Sequence, residues 1–144
     1  MKKEIRTEVV IEATPDKVWE VLTAFSRYAA WNPFIKSLRG EVKTGSRIVV
    51  RLEPPNAKGM TFKPKVLVFE PQKEFRWIGH LLFPGLFDGE HRFELIDNGD
   101  GTTTFIQAER FKGILVRFLS NMLDNQTVNG FRMMNEKLKE EAEK

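Results

Sequence analysis

The chain contains no cysteine, and this absence excludes disulfide bonds, zinc thiolate sites and thiol catalysis. Only two of its 144 residues are histidine, which argues against a histidine-rich metal site, and we expect no cofactor. The longest apolar stretches, at 81–87 and 114–119, are far shorter than the roughly 20 residues of a membrane-spanning helix. Because no apolar signal segment follows the N-terminus, we expect a protein of the reducing cytoplasm.

A large excess of one charge is also missing. The 20 acidic residues are interspersed with 23 basic ones, which gives a net charge of only +3. No basic block is interleaved with aromatic residues, so we expect no nucleic-acid partner. The sequence also lacks a glycine-rich phosphate loop, a nucleophile elbow and a carboxylate–histidine cluster at metal spacing, which excludes these catalytic patterns.

Apolar residues are plentiful and periodic. They make up 41% of the chain, with twelve phenylalanines and three tryptophans, which is enough for one domain over residues 1–144. Residues 4–12 alternate between apolar and charged, a pattern typical of a strand with one solvent-facing side. The Thr-Pro-Asp sequence at 14–16 predicts a helix start. A second short helix is expected to end at the Asn-Pro pair, 32–33.

The middle of the chain predicts several strands separated by short turns. The Asn-Gly-Asp-Gly sequence at 98–101 is a strong hairpin signal, and Pro64 suggests an edge or a bulge in its strand. Because each strand adjoins the next through a short connection, we expect an antiparallel meander. The predicted strands cover residues 35–42, 47–53, 61–69, 73–80, 87–97 and 102–112.

From residue 113 onward the pattern becomes helical. Apolar residues recur at spacings of three and four between Leu119 and Leu138, which predicts a buried stripe on a helix of about 25–30 residues. Within it, the polar segment 124–130 ends in glycine and indicates either a solvated face or a kink that leaves room for a ligand. A curved sheet wrapped on so long a helix encloses space, so the element order predicts a container.

Four short motifs, spread in order over essentially the whole chain, match those of a known superfamily. Residues 14–19 (Thr-Pro-Asp-Lys-Val-Trp) look like its first helix start, and 31–34 (Trp-Asn-Pro-Phe) like the turn after its second helix. Residues 107–113 are similar to the end of its last strand, and 131–139 to its closing helix. The chain thus resembles the START/Bet v1-like superfamily (SRPBCC), in particular the polyketide cyclase/dehydrase-like branch.

This resemblance implies an α+β helix-grip fold. A curved seven-stranded antiparallel sheet would wrap around the long C-terminal helix, with two short helices between strands 1 and 2. It also implies an internal cavity for an apolar or amphipathic small molecule, lipid-like or polyketide-like. Relatives include lipid carriers, plant hormone receptors, polyketide aromatases and cyclases, and chaperone activators, so the resemblance implies no single chemistry.

Three polar residues are predicted on an inward sheet face. Gln107 and Glu109 share a strand face with Phe105, and His91 shares a face of the preceding strand with Phe93. An inward carboxylate must find a partner or shift its pKa upward, so Glu109 is a candidate for ligand contact or proton transfer. His91 beside it would serve as an acid–base group. A structural ion pair and a satisfied core histidine are the alternatives.

Aromatic residues complete the candidate site. Tyr28, Trp31 and Phe34 are expected near the cavity mouth, although Trp31 also fits a core position. The apolar loop 81–86 is interpreted as a lid over the mouth, with exposure for a partner or a membrane surface as the alternative. The predicted ligand-contacting residues are Tyr28, Trp31, Phe34, Trp77, Phe83, His91, Phe93, Phe105, Gln107, Glu109 and Met122.

Three functions remain open on this basis. The first is binding of a hydrophobic small molecule by a monomer or weak homodimer, which requires an internal cavity. The second is a cyclase- or dehydratase-type enzyme, which requires His91 and Glu109 within hydrogen-bonding distance. The third is a protein-interaction module, which requires an exposed 81–86 loop.

Overall fold

The computed structural model describes residues 2–144 and contains eight strands over that range. They form two antiparallel sheets, one of five strands in the order β1-β8-β7-β6-β5 and one of three in the order β2-β3-β4. The strands are β1 (Lys2–Ile11), β2 (Ile35–Arg39), β3 (Val49–Leu52), β4 (Met60–Phe62), β5 (Lys65–Glu70), β6 (Glu74–His80), β7 (Asp88–Asp97) and β8 (Thr103–Lys112).

The helices lie where the sequence predicts them, and the α+β helix-grip prediction is confirmed. Two short helices separate β1 from β2, and a long helical segment follows β8. No helix within residues 2–144 is both long and apolar enough to cross a membrane. The helices are α1 (Pro15–Thr23), α2 (Tyr28–Trp31), α3 (Val116–Met122) and α4 (Val128–Ala142), with a 3₁₀ turn at Phe25–Arg27 and a π-helical turn at Leu123–Thr127.

The strand count differs from the seven expected. The predicted strand at 61–69 is divided into β4 and β5, because Pro64 lies between them and has no N–H for a ladder. An isolated bridge between Arg47 and Lys65, with main-chain hydrogen bonds between residues 45–48 and 64–66, connects the two sheets at this break. Pro64 therefore lies where the chain passes from the edge strand of one sheet to the edge strand of the other, in agreement with the predicted edge position.

Local sequence signals explain how the short helices are held. The Thr14 hydroxyl accepts a hydrogen bond from the N–H of Lys17, and α1 buries Val18 and Leu22. After α2, the side-chain oxygen of Asn32 accepts hydrogen bonds from the main-chain N–H groups of Phe34 and Ile35, at 3.0 and 2.8 Å. This turn directs Phe34 into the core.

The C-terminal helical segment runs from Val116 to Ala142 and changes character in its middle. Its α4 half buries Phe131, Met134 and Leu138 and packs mainly against β1 and α1. Residues 124–127 of the predicted polar segment lie in the π-helical turn, whose backbone is wider than that of an α-helix, and residues 128–130 begin α4. Just beyond it, Gly130 lies so close to Phe34 that an added Cβ would sit 2.5 Å from the ring.

Candidate functional site

A cavity of about 220 Å³ opens between the sheets, the loop 53–59 that joins β3 to β4, and the π-helical turn. Its walls are mainly aromatic and aliphatic, and its polar lining comes from a few side chains, among them Glu109, Gln126 and Thr127. Such a space suits an apolar molecule that carries few polar atoms. The main apolar lining residues are Phe34, Leu52, Met60, Phe62, Leu81, Phe87, Phe111, Met122 and Leu123.

A chain of buried hydrogen bonds leads from the cavity wall into the core. His91 Nδ1 lies 2.8 Å from Glu109 Oε1, and His91 Nε2 lies 3.0 Å from Gln107 Oε1. The Gln107 amide nitrogen donates to Asn135 Oδ1 at 2.8 Å, and the Asn135 amide nitrogen donates to Thr7 Oγ1 at 2.8 Å. The chain joins three strands to α4, so the carboxylate at the cavity is held by the core itself.

Strand register explains why the central pair meets. In the β7–β8 ladder His91 lies directly opposite Glu109, and both side chains point to the concave face. The imidazole is stacked on Trp77, with ring centroids 4.9 Å apart, and meets Phe131 edge to face at 5.0 Å. Its side chain is only 2% exposed, so His91 is fixed in orientation and shielded from solvent.

Glu109 reaches the cavity while His91 does not. The Glu109 side chain is 15% exposed, and its Oε1 atom bonds to His91. Its Oε2 atom lies where a side chain at position 89 would begin: a Cβ added to Gly89 would overlap Oε2. The carboxylate therefore fits in this position because residue 89 is a glycine.

Other polar groups of the cavity are arranged differently. Gln126 has a buried Oε1 atom for which residues 2–144 offer no hydrogen-bond partner. At the rim, His80 Nδ1 lies 2.7 Å from Asp88 Oδ1, and Asp88 Oδ2 accepts from the N–H of Gly85 at 3.0 Å. The His80–Asp88 pair therefore connects the apolar loop 81–86 to β7. The Gln126 oxygen, in contrast, can still accept a hydrogen bond.

The predicted site residues fall into three groups. Three of them line the cavity: Phe34, Glu109 and Met122. A second group, buried behind that wall, comprises Trp77, His91, Phe93, Phe105 and Gln107. Tyr28, Trp31 and Phe83 form the third group and lie away from the cavity.

Tyr28 and Trp31 belong to the packing of α2 and do not line the cavity mouth. The Tyr28 hydroxyl donates to the main-chain carbonyl of Leu22, and burial raises the pKa of Tyr28 well above its usual range. Trp31 packs edge to face on Tyr28, with ring centroids 5.4 Å apart. The tyrosine hydroxyl is therefore already satisfied and points away from any ligand in the cavity.

The interpretation of loop 81–86 as a closed lid is wrong. At the loop tip Leu82 is 86% exposed and Phe83 55% exposed, and only Leu81 lines the cavity. The loop is held outward because main-chain N–H groups at 114 and 115 donate to the carbonyls of Gly85 and Leu86. This exposure is the condition that the interaction-module hypothesis requires.

Sequence reasoning missed three residues that shape the site. Asn135 is a polar residue on the buried side of α4, one position after Met134, and Thr7 shares an inward strand face with Ile5. Both could have been found as polar residues at apolar positions. The third, Gly89, had no such signal, because its role depends on a side chain of the neighbouring strand.

Solved structures with the same fold include enzymes and proteins of other descriptions. The Zhui aromatase/cyclase from a Streptomyces species aligns with a TM-score of 0.77 and 16% identity, over 99% of this chain and 94% of that chain. A norcoclaurine synthase from Thalictrum flavum gives a TM-score of 0.74 and 12% identity, with 99% and 94% coverage. For Ara h 8.0201 the values are 0.65 and 12%, with 96% and 98% coverage.

At these identities the structural matches establish the fold alone. No curated protein sequence shows significant similarity to this chain. A family model described as "Polyketide cyclase / dehydrase and lipid transport" matches residues 2–143, nearly the full length. The chain therefore belongs to the polyketide cyclase/dehydrase and lipid transport family.

Proposed function

We propose that the protein binds a small, largely apolar molecule in the cavity, with Glu109 as its polar contact. The observation that carries this proposal is the pairing of an apolar space of about 220 Å³ with one carboxylate held in its wall. The apolar walls supply affinity through burial, and a polar group fixed in the wall orients the ligand.

The cavity volume limits the size of the buried part of the ligand. A cavity of about 150 Å³ in another protein holds benzene, and a water molecule takes about 30 Å³ of liquid volume. A space of about 220 Å³ therefore suits one or two fused rings, or a short acyl segment. One structural neighbour, a norcoclaurine synthase, is described in complex with dopamine and hydroxybenzaldehyde, which supports a ring-sized ligand.

Naphthalene should bind saturably, and a bulky group placed in the cavity should prevent it. We expect naphthalene to shift methyl resonances of Met60 and Met122 in an NMR titration, because both side chains line the cavity. Ala57→Trp, at a lining position, should abolish the shifts. Ala30→Trp adds the same group at an exposed position and should leave them unchanged. Shifts that are absent up to the solubility limit, or unaffected by Ala57→Trp, would contradict the proposal.

The 2.8 Å contact between His91 and Glu109 favours a second candidate, a proton-transfer enzyme. Glu109 would take a proton from the carbon next to a ligand carbonyl, leaving an enolate and a neutral carboxylic acid, and the proton would later return. Aldol-type ring closure and loss of water from a β-hydroxy carbonyl compound both begin with such a step. His91 would hold the carboxylate in position throughout.

Hydrogen–deuterium exchange tests this second candidate without knowledge of the substrate. In D2O the protein should accelerate exchange of the protons next to the carbonyl of 2-tetralone by at least about tenfold over buffer, as general base catalysis permits. ¹H NMR follows the loss of signal. Glu109→Gln should remove the acceleration, because an amide is not a base. Equal exchange rates with and without the protein would rule out this candidate for ring-sized ketones.

A further inference from the structure

The direction of every hydrogen bond in the buried chain is set at its inner end. The Thr7 hydroxyl lies 2.8 Å from the main-chain carbonyl of Gln107 and must donate to it, because a carbonyl only accepts. A hydroxyl has one proton, so the Asn135 atom 2.8 Å from Thr7 Oγ1 must be the donating amide nitrogen. Asn135 Oδ1 therefore faces Gln107 and accepts from its amide nitrogen.

This direction determines which imidazole nitrogen carries a proton. Gln107 Nε2 faces Asn135 Oδ1 and also the carbonyl of Phe131, at 3.4 Å, so Gln107 Oε1 faces His91. That oxygen can only accept a hydrogen bond. His91 Nε2, 3.0 Å away, is consequently the protonated nitrogen.

The other imidazole nitrogen then lies opposite a carboxylate oxygen. With Nε2 protonated, a neutral imidazole would present a lone pair at Nδ1, only 2.8 Å from Glu109 Oε1. Two lone pairs at that distance repel, so one proton must lie between the two atoms. A further proton on Glu109 Oε2 would leave an uncompensated positive charge on a His91 side chain that is only 2% exposed, and burial makes such a charge costly. Whether Nδ1 or Oε1 holds the shared proton, we therefore take the His91–Glu109 pair to have no net charge and Glu109 Oε2 to carry no proton.

Glu109 Oε2 is thus a hydrogen-bond acceptor that faces an apolar cavity. No group within residues 2–144 donates a hydrogen bond to it, and Gly89 leaves the space around it open. A ligand carboxylate would place a second acceptor against it, and a ligand ammonium would be desolvated opposite a neutral pair. The other titratable side chains of the lining, Lys58 and His80, are contributed by the loop 53–59 and the end of β6.

We propose that the cavity selects an uncharged ligand whose hydroxyl group (phenol, enol or alcohol) donates to Glu109 Oε2. This inference rests on the proposed function of cavity binding and adds the chemical class of the ligand. A hydrogen bond to such an acceptor should strengthen binding about tenfold relative to a matched ligand without the donor.

The protonation of His91 can be measured without a ligand. The chain has two histidines, so ¹⁵N-labelled histidine gives two sets of ring signals, and the His80→Gln variant assigns them. His91 Nε2 should show one-bond coupling to a proton. An unprotonated Nε2, or an unprotonated Nδ1 beside an ionised Glu109, would overturn the inference.

Four matched ligands test the selectivity: naphthalene, 2-methoxynaphthalene, 2-naphthol and 2-naphthoate. NMR titration should show 2-naphthol binding about tenfold more tightly than 2-methoxynaphthalene, and 2-naphthoate most weakly. If none of the four binds, both the proposed function and this inference fail. If naphthalene and 2-methoxynaphthalene bind but 2-naphthol gains nothing, or 2-naphthoate binds most tightly, only this inference fails.

Two substitutions of Glu109 separate its accepting oxygen from its charge. Glu109→Gln should keep most of the preference for 2-naphthol, because its amide nitrogen donates to His91 Nδ1 and its oxygen then faces the cavity. Glu109→Leu should remove the preference while naphthalene still binds. The opposite order, a preference lost in the glutamine variant and kept in the leucine variant, would overturn the inference.

Discussion

Replacing Gln107 with leucine should lower the free energy of unfolding by about 2–6 kcal/mol. The side chain accepts from His91 and donates to Asn135, both only 2% exposed, so removal of its amide leaves two buried polar groups without partners. Each such group costs about 1–3 kcal/mol, because it has lost water without gaining a protein partner. Leucine has a similar volume, so loss of packing adds little.

The same substitution at Gln126 is the matched control. Its Oε1 atom is buried and has no partner within residues 2–144, so Gln126→Leu removes an unsatisfied atom from an apolar wall. Its free energy of unfolding should stay the same or rise. Urea denaturation of both variants against the parent protein measures the difference. Equal losses of stability in the two variants would show that the buried chain does not stabilise the fold as described.

Replacing Gly89 with alanine should break the contact between His91 and Glu109. The added Cβ overlaps Glu109 Oε2 and also approaches Phe111 to 3.7 Å, so the carboxylate must turn away from the imidazole. A buried His91 nitrogen then loses its partner, at a cost of about 1–3 kcal/mol. We expect a lower free energy of unfolding, a changed ¹⁵N signal at His91 Nδ1 and no remaining preference for 2-naphthol.

Gly79→Ala provides the comparison, since Gly79 lies directly opposite Gly89 in the β6–β7 ladder. Both substitutions gain about 0.5–1 kcal/mol from reduced backbone freedom in the unfolded chain. At position 79 the added Cβ approaches the Phe62 ring to 3.2 and 3.3 Å and Pro64 to 3.8 Å, which is an ordinary contact, and a small ring shift relieves the closer one. The His91 signal should therefore be unchanged. An unchanged His91 signal in Gly89→Ala as well would refute the positioning role of Gly89.

Much of the fold follows from periodicity alone. Alternation along β8 places Phe105, Gln107 and Glu109 on one face, and the structure has all three pointing inward. The hairpin sequence at 98–101 fixes the register of β7 against β8, which brings His91 opposite Glu109. Both conclusions depend only on the two-residue repeat of a strand and the length of one turn.

The details of the site depend on contacts between distant segments. Asn135 meets Gln107 only because α4 crosses the sheet at a particular height, and no local pattern encodes that crossing. The Tyr28 hydroxyl turns inward to a carbonyl of α1, which chain order does not reveal. The loop 81–86 faces outward because the main-chain N–H groups of residues 114 and 115, just before α3, donate to its carbonyls. Each outcome is decided by tertiary hydrogen bonds.

The π-helical turn at Leu123–Thr127 divides the C-terminal helical segment into a part that lines the cavity and a part, α4, that packs on the sheet. An α-helix rotates by about 100° per residue, so gain or loss of one residue in this turn would rotate α3 about its axis. The α4 residues that pack on the sheet, such as Phe131 and Leu138, would keep their places. A different set of side chains from residues 122–127 would then face the cavity. One inserted or deleted residue at this turn would therefore change the cavity lining while the core stayed the same.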